Sequence, residues 1–139
     1  MNGKVLKRSL PVIAGPPPPD APMLKRLRLR QGELAHFWNG EEPIHYIAFL
    51  ELRDGAIRGN HYHRHKREFV YVISGELLLS VADTESSQRD SLILRAGDLG
   101  SIDTGIAHRY QVNQPGQAVE FSTVTFNPAD LYPWQFDDC

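Results

Sequence analysis

The sequence is poor in features that would cross-link the chain, anchor it or wind it into helices. Its single cysteine is Cys139, so no disulfide can form within the chain. No apolar run approaches the ~20 residues of a membrane-spanning helix, and no window has the apolar period of an amphipathic helix. The apolar stretch 10–14 contains a proline and is too short for a signal peptide. We therefore expect a cytoplasmic protein with no membrane partner.

The overall charge also gives little indication of a binding partner, because the formal net charge is only −2. Residues 1–32 are rich in lysine and arginine, whereas residues 110–139 contain neither. Leucines interleave with the arginines in residues 24–30, which favours a solvated strand face over a nucleic-acid surface. No nucleic-acid partner is predicted. The opposite charges of the two ends could attract each other across the interface of a homodimer.

The 139 residues suit one domain with a core of its own. Four consecutive prolines at 16–19, followed by Pro22, exclude a helix or a central strand there. We therefore predict an extended proline-rich N-terminal arm at residues 1–22, a β-domain at 23–127 and a C-terminal tail at 128–139 that packs on it.

Between these ends, short apolar stretches alternate with Gly, Asp, Asn and Pro at close spacing. Many short strands of this kind indicate an all-β sandwich or barrel. Ser74 and Gly75 are predicted to form a hairpin turn between two strands. The polar run 83–90 is predicted to be an exposed loop.

The strongest chemical signal lies between Gly55 and Gly75. The order is Gly55, five residues, His61, one residue, His63, four residues, Glu68, six residues and Gly75. Side chains two apart on a strand project to one face, and a turn before Glu68 would bring its carboxylate back beside the imidazoles. Two imidazoles and a carboxylate suit a divalent transition metal. The alternative is a solvated polar loop whose histidines merely flank a hairpin.

His108 is the best candidate for a fourth ligand, since it follows a predicted turn and begins the strand-like stretch 107–112. The alternative is a lone histidine satisfied by hydrogen bonds. Tyr110 and Val112 should share its inward face, and Tyr110 is a candidate to orient a substrate or else an ordinary core tyrosine. Asp103 is a candidate catalytic carboxylate or else a residue that stabilises the turn.

Residues 55–75 resemble the first motif of the cupin superfamily, G-x5-H-x-H-x(3,4)-E-x6-G, at all five fixed positions. The resemblance covers about residues 44–126. The sequence of residues 58–63 is also similar to that of cupins that modify nucleotide sugars.

The second cupin motif, G-x5-P-x-G-x2-H-x3-N, is matched in part. Gly97, Gly105 and His108 agree with it. Asp103 stands where the family usually has proline, and Val112 stands where it has asparagine. Neither departure falls on a ligand position.

The resemblance implies an antiparallel jelly-roll β-barrel, often dimeric, with one divalent transition metal ion (Fe, Mn, Zn, Ni or Cu) inside it. Carried over position by position, the ligands are His61, His63, Glu68 and His108.

This ligand set leaves coordination positions open for a small-molecule substrate. The leading hypothesis is a metal-dependent dioxygenase or a Lewis-acid isomerase or epimerase. Two alternatives stay open: a non-catalytic module that binds a small ligand or sugar, and a metal-free sugar-nucleotide isomerase whose histidines act as acid and base.

Overall fold

The structure, a computed structural model, describes residues 1–136, which contain eleven β-strands and no helix. In chain order the strands are β1 (Val5–Ser9), β2 (Val12–Ala14), β3 (Lys25–Leu29), β4 (Gly32–His36), β5 (Tyr46–Leu52), β6 (Ile57–Tyr62), β7 (Glu68–Asp83), β8 (Arg89–Arg95), β9 (Asp98–Ile102), β10 (Ile106–Ser122) and β11 (Tyr132–Pro133). Within this described part, no helix is long and apolar enough to cross a membrane.

Eight strands form one antiparallel sheet that folds over into two layers. The two longest strands, β7 and β10, run side by side through both layers. The first layer has the order β5-β10-β7-β9-β1, and the second has the order β11-β6-β10-β7-β8. The predicted all-β antiparallel jelly roll is confirmed, although the outer strands of the two layers do not pair and the barrel stays open.

The predicted hairpin at Ser74 and Gly75 is wrong, because β7 continues through both residues. Gly75 has a φ of +89°, and a Cβ there would lie 2.6 Å from the carbonyl oxygen of Gln114. On the partner strand, a Cβ at Gly116 would collide with the carbonyl of Ser74. The pairing of β7 and β10 also shifts its register three times between residues 112 and 118. The glycines therefore let both strands bend together from one layer into the other, as bulges do in curved sheets.

The main core fills the space between the two layers. Alternate residues of each strand point into it, as expected for sheets with one face covered. It includes Val70 and Val72 of the first layer with Leu77, Leu79, Tyr110 and Val112 of the second. Glu68 and His108 continue the same inward faces of β7 and β10 toward one end of the core, and this end holds the candidate site.

Residues 1–22 are extended, but two parts of them pair with other strands. Val5–Ser9 pairs with β9, and Val12–Ala14 runs parallel to β3 in a three-stranded sheet with β4. The consecutive prolines at 16–19 exclude a strand only locally, so the residues before them were free to pair. The domain limits at residues 22 and 127 stay a prediction.

A second apolar cluster covers the outer face of the first layer. Phe37, which follows β4, stacks on Tyr71 with ring centres 4.3 Å apart, and Trp38 packs against Phe69 and Phe121. The tail reaches the second layer, where Phe136 packs on Ala82 and Ala107. Residues 137–139 of the predicted tail, including Cys139, lie outside the described residues.

Candidate functional site

A one-residue bulge in β6 places His61 opposite His108. Pairing with β10 runs regularly from Ile57 to Gly59, and then Asn60 is passed over so that His61 faces His108. Asn60 has a φ of +63° and Gly59 a φ of +98°. A Cβ on Gly59 would lie 2.7 Å from the carbonyl oxygen of His108, so this close approach requires glycine. The two imidazole ring centres are consequently 4.8 Å apart.

The chain then leaves β6, and the next turn returns Glu68 to the same place. His63 is buried just after the end of β6, with its carbonyl accepting the backbone N–H of Gly105 at 2.8 Å. Glu68 is the first residue of β7 and is also buried. The structure thus brings together the four residues predicted as ligands, whose candidate donor atoms lie within 4.8 Å of one another: His61, His63, Glu68 and His108.

In two of these imidazoles, the hydrogen bond of the Nδ1 atom determines the protonation of the Nε2 atom that faces the site. The Nδ1 atom of His63 lies 2.8 Å from the carbonyl oxygen of Asp130, and that of His108 lies 3.2 Å from the carbonyl oxygen of Ile106. Because a carbonyl only accepts, each Nδ1 carries the proton. Within the described residues, neither buried Nε2 has a hydrogen-bond partner. Both lie near Glu68, at 3.7 Å for His63 and 3.3 Å for His108.

The pKa values of the titratable groups in the site are strongly shifted. Burial opposes the charged form of Glu68, but His108, His63 and Tyr110 outweigh it and hold the pKa of this carboxyl well below its usual value. Burial also opposes a charged His108, yet the adjacent carboxylate raises the pKa of that imidazole. Burial and the two neighbouring imidazoles lower the pKa of His61 to about 4. At neutral pH, His61 is therefore uncharged and retains a nitrogen lone pair.

Tyr110 is buried on the inward face that it shares with His108 and Val112, as the alternation predicts. Its hydroxyl donates a hydrogen bond of 2.7 Å to the Oε2 atom of Glu68. The hydroxyl predicted to orient a substrate thus orients the carboxylate. Burial and this carboxylate raise the pKa of Tyr110 well above its ordinary value, so the residue is a donor rather than an anion.

A cavity of about 260 Å³ opens onto these groups, slightly below the ~300–1,000 Å³ usual for small-molecule pockets. Besides the four candidate ligands and Tyr110, its lining includes Lys66, Glu120, Tyr46 and Phe126. Only 4 % of the Lys66 side chain is exposed. Its ammonium donates to Oε1 of Glu120 at 3.0 Å and lies 4.3 Å from the ring centre of Tyr46. We call Lys66, Glu120 and Tyr46 the charged wall of the cavity.

The charged wall was missed by sequence reasoning. Lys66 falls in the turn predicted before Glu68, and Glu120 is a single acidic residue in an apolar stretch. For Glu120 the available signal was alternation, because it is two residues from both Ala118 and Ser122, which are buried. Burial, followed by the nearby Glu68, raises the pKa of Glu120 to about 7.

Asp103 is not among the residues that line the cavity. Its Oδ1 atom accepts the backbone N–H of Thr104 at 2.7 Å and lies 3.9 Å from Nε of Arg67. This is the turn-stabilising arrangement that was the alternative for this residue. The geometry therefore gives no support to the catalytic role predicted for Asp103.

The four candidate ligands fit a divalent transition metal. Bonds of about 2.0–2.2 Å to nitrogen and oxygen put opposite ligands of one ion about 4.0–4.4 Å apart, so groups within 4.8 Å need to move only slightly. Two buried nitrogens that have no hydrogen bond within residues 1–136 point toward the same carboxylate. Buried polar atoms normally have partners, and a metal ion is the partner that lone pairs in this arrangement suit.

A family model described as "Cupin domain" matches residues 48–125 of the chain. This range contains all four candidate ligands, Tyr110 and the charged wall except Tyr46. No curated protein matches the chain significantly in sequence.

Many solved structures share the fold. The dTDP-4-dehydrorhamnose 3,5-epimerase of Sulfolobus tokodaii is 19% identical with a TM-score of 0.69, over 78% of this chain and 72% of that one. ChmJ, a 3'-monoepimerase of Streptomyces bikiniensis solved with dTDP-quinovose, is 15% identical with a TM-score of 0.72, over 94% and 69%. WlaRA, a TDP-fucose-3,4-ketoisomerase of Campylobacter jejuni, is 13% identical with a TM-score of 0.69, over 94% and 88%. At these identities the likeness concerns the fold alone.

Proposed function

The chain belongs to the cupin domain family, and from this membership we propose that it is a metal-dependent isomerase or epimerase of a small hydroxylated carbonyl compound, such as a sugar or a sugar nucleotide. The observation that carries the proposal is the pair of buried, unpartnered Nε2 atoms of His63 and His108, both aimed at Glu68. With His61 they complete a donor set for one divalent ion. Such an ion, when bound, supplies a Lewis acid that polarises an oxygen of the substrate.

The charged wall supports isomerisation rather than oxidation by dioxygen. Moving a carbonyl or inverting a carbon beside it requires one group to take a proton from carbon and another to stabilise the negative charge on oxygen. Glu120 is the cavity carboxylate outside the metal-binding set, and we assign it the first task. The Lys66 ammonium has three N–H donors. It uses one on Glu120 and lies 3.7 Å from Oε1 of Glu68, and we assign a remaining donor to the substrate oxygen.

In this scheme the C–H bond next to the carbonyl breaks and its proton passes to Glu120. The electron pair moves onto the carbonyl oxygen, where Lys66 donates a hydrogen bond. Delivery of a solvent proton to the same carbon from the other face, with Glu120 giving its own proton to solvent, gives an epimer. Return of the proton from Glu120 to the former carbonyl carbon, with the hydroxyl proton of the neighbouring carbon passing to the former carbonyl oxygen, gives a keto isomer. No oxidant or reductant is consumed. The solved structures that share the fold include sugar-nucleotide epimerases and a ketoisomerase, which favours the same substrate class.

A metal-free variant of this function is favoured by one contact. Nε2 of His108 lies 3.3 Å from Oε2 of Glu68, and the carboxylate raises the pKa of the imidazole. A protonated His108 would then be the group that donates to the substrate oxygen. This variant predicts turnover in protein that contains no transition metal.

The test combines metal content with proton exchange. Purified protein should contain close to one transition metal ion per chain by elemental analysis, and His61→Ala should lose it. In D₂O, NMR of a panel of keto sugars and sugar nucleotides should show deuterium entering beside the carbonyl of at least one. Glu120→Gln should abolish the exchange, whereas the exposed Glu51→Gln should not. Oxygen uptake without exchange would indicate a dioxygenase, and binding without either reaction would indicate a non-catalytic module.

A further inference from the structure

Asp130 connects the C-terminal segment to the backbone between two candidate ligands. It lies between β10 and β11 and is 5% exposed. Its Oδ1 atom accepts the backbone N–H of Arg64 at 2.8 Å, and its Oδ2 atom accepts those of His65 and Lys66, both at 3.1 Å. These three residues belong to the loop 64–67 between His63 and Glu68, which we call the ligand loop.

The same residue also acts directly on one ligand. The backbone carbonyl of Asp130 accepts the hydrogen bond from Nδ1 of His63 at 2.8 Å. It therefore holds the imidazole in the tautomer that presents an Nε2 lone pair to the site. One residue thus determines both the ring orientation of a ligand and the conformation of the loop that leads to the next.

The C-terminal segment has other attachments that do not depend on the Asp130 carboxylate. Tyr132 and Pro133 of β11 pair with Tyr62 and His61 of β6. The backbone N–H of Trp134 donates to the carbonyl of Asn60 at 2.8 Å. Loss of the carboxylate should therefore leave the segment docked while it releases the ligand loop.

We propose that Asp130 is a positioning residue of the metal centre, through which the C-terminal segment holds His63 and Glu68 ready for the ion. The proposal rests on the metal centre of the proposed function. Three backbone donors converging on one carboxylate restrict the ligand loop before any ion binds. Partners of this kind in metalloproteins typically change metal affinity by about 10–100-fold.

The test measures metal binding in Asp130→Ala and Asp130→Asn, starting from metal-free protein. Affinity for Zn²⁺ and Co²⁺ is determined by competition with a chromophoric chelator, and the Co²⁺ absorption spectrum reports the ligand geometry. Asp130→Ala should bind both ions about 10–100-fold more weakly and alter the Co²⁺ spectrum. Asp130→Asn keeps a carbonyl oxygen that can accept from the loop, so its affinity should lie in between.

Asp98→Asn is the matched control. Asp98 is 7% exposed, and its carboxylate accepts the backbone N–H of Arg95 at 2.8 Å in the turn before β9. It does not line the cavity, so its loss should lower the melting temperature without changing metal affinity. Unchanged affinity and spectrum in folded Asp130→Ala and Asp130→Asn would overturn the positioning role alone. A wild-type protein that binds neither ion would overturn the metal centre, and this role with it.

Discussion

His61 and His108 face each other across β6 and β10 only because Asn60 adds one residue to β6. If the pairing continued without the bulge, Asn60 would lie opposite His108 and His61 would turn to the other face. The bulge is therefore the local feature that converts a strand pairing into a convergent set of imidazoles. The positive φ angles of Gly59 and Asn60 are the backbone conformation on which it depends.

We predict that Gly59→Ala will damage the site through the backbone. The new methyl group would meet the carbonyl oxygen of His108 at 2.7 Å at a φ of +98°, so β6 must move away from β10. We expect a loss of stability larger than ~1 kcal/mol, measured by urea unfolding, together with weakened metal binding. Gly55→Ala is the control, because Gly55 also has a positive φ but no atom of the described part of the chain lies within 4 Å of its added Cβ. Equal metal affinity in the two variants would contradict this account.

We predict that Tyr110→Phe will destabilise the metal-free protein. The substitution removes the 2.7 Å hydrogen bond to buried Glu68, and hydrogen bonds to charged groups contribute about 1.5–3 kcal/mol. Denaturant unfolding of the apo protein should show a loss in that range. Tyr71→Phe removes a hydroxyl from another buried tyrosine, one that does not line the cavity, and should cost less. A larger loss in Tyr71→Phe would show that the contact with Glu68 contributes little.

We predict that Lys66→Met will reduce turnover while the metal stays bound. Methionine keeps most of the side-chain volume. The hydrogen bond from the backbone N–H of residue 66 to the Asp130 carboxylate is not affected by the substitution. The substrate oxygen would lose its ammonium donor, so we expect at least a tenfold fall in the rate of deuterium exchange, equivalent to about 1.4 kcal/mol. Metal content is measured on the same samples.

Lys25→Met serves as its control. Lys25 is also buried, but its ammonium donates to the carbonyl oxygens of Pro22 and Met23, away from the cavity. If both variants lost exchange activity to the same extent, the effect would be one of stability and not of the charged wall.

Sequence alone was enough to predict the strand-rich jelly roll and the convergence of His61, His63, Glu68 and His108. The jelly roll and the full set of four ligands were predicted from the resemblance to the cupin motifs. The strand-rich fold was predicted from local spacing and from alternation along a strand, which survive in any context that buries one face. The hairpin at Ser74 and Gly75 was wrong for a related reason. Glycine in a strand signals either a turn or a bend, and only the register of the partner strand distinguishes them.

Asp130 could not have been predicted from its own neighbourhood. Its carboxylate meets the backbone of Arg64, His65 and Lys66, more than sixty residues earlier in the chain. Nearly every residue type carries a backbone N–H, so no residue pattern in the sequence predicts such a contact. The same applies to Lys66 and Glu120, because their pairing joins a loop residue to a residue of β10 that is distant in the sequence.

Metal addition should stabilise the protein through the four candidate ligands. An ion that binds only the folded state at one hundred times its dissociation constant adds about 2.7 kcal/mol, which raises the melting temperature of a domain of this size by roughly 10 °C. We expect this rise when Zn²⁺ is added to chelator-treated protein, and its disappearance in His63→Ala. The exposed His45→Ala should keep the full rise, because His45 does not line the cavity. An equal rise in both variants would place the ion elsewhere, and no rise in the wild type would favour acid–base catalysis by His108 and Glu68 without a metal.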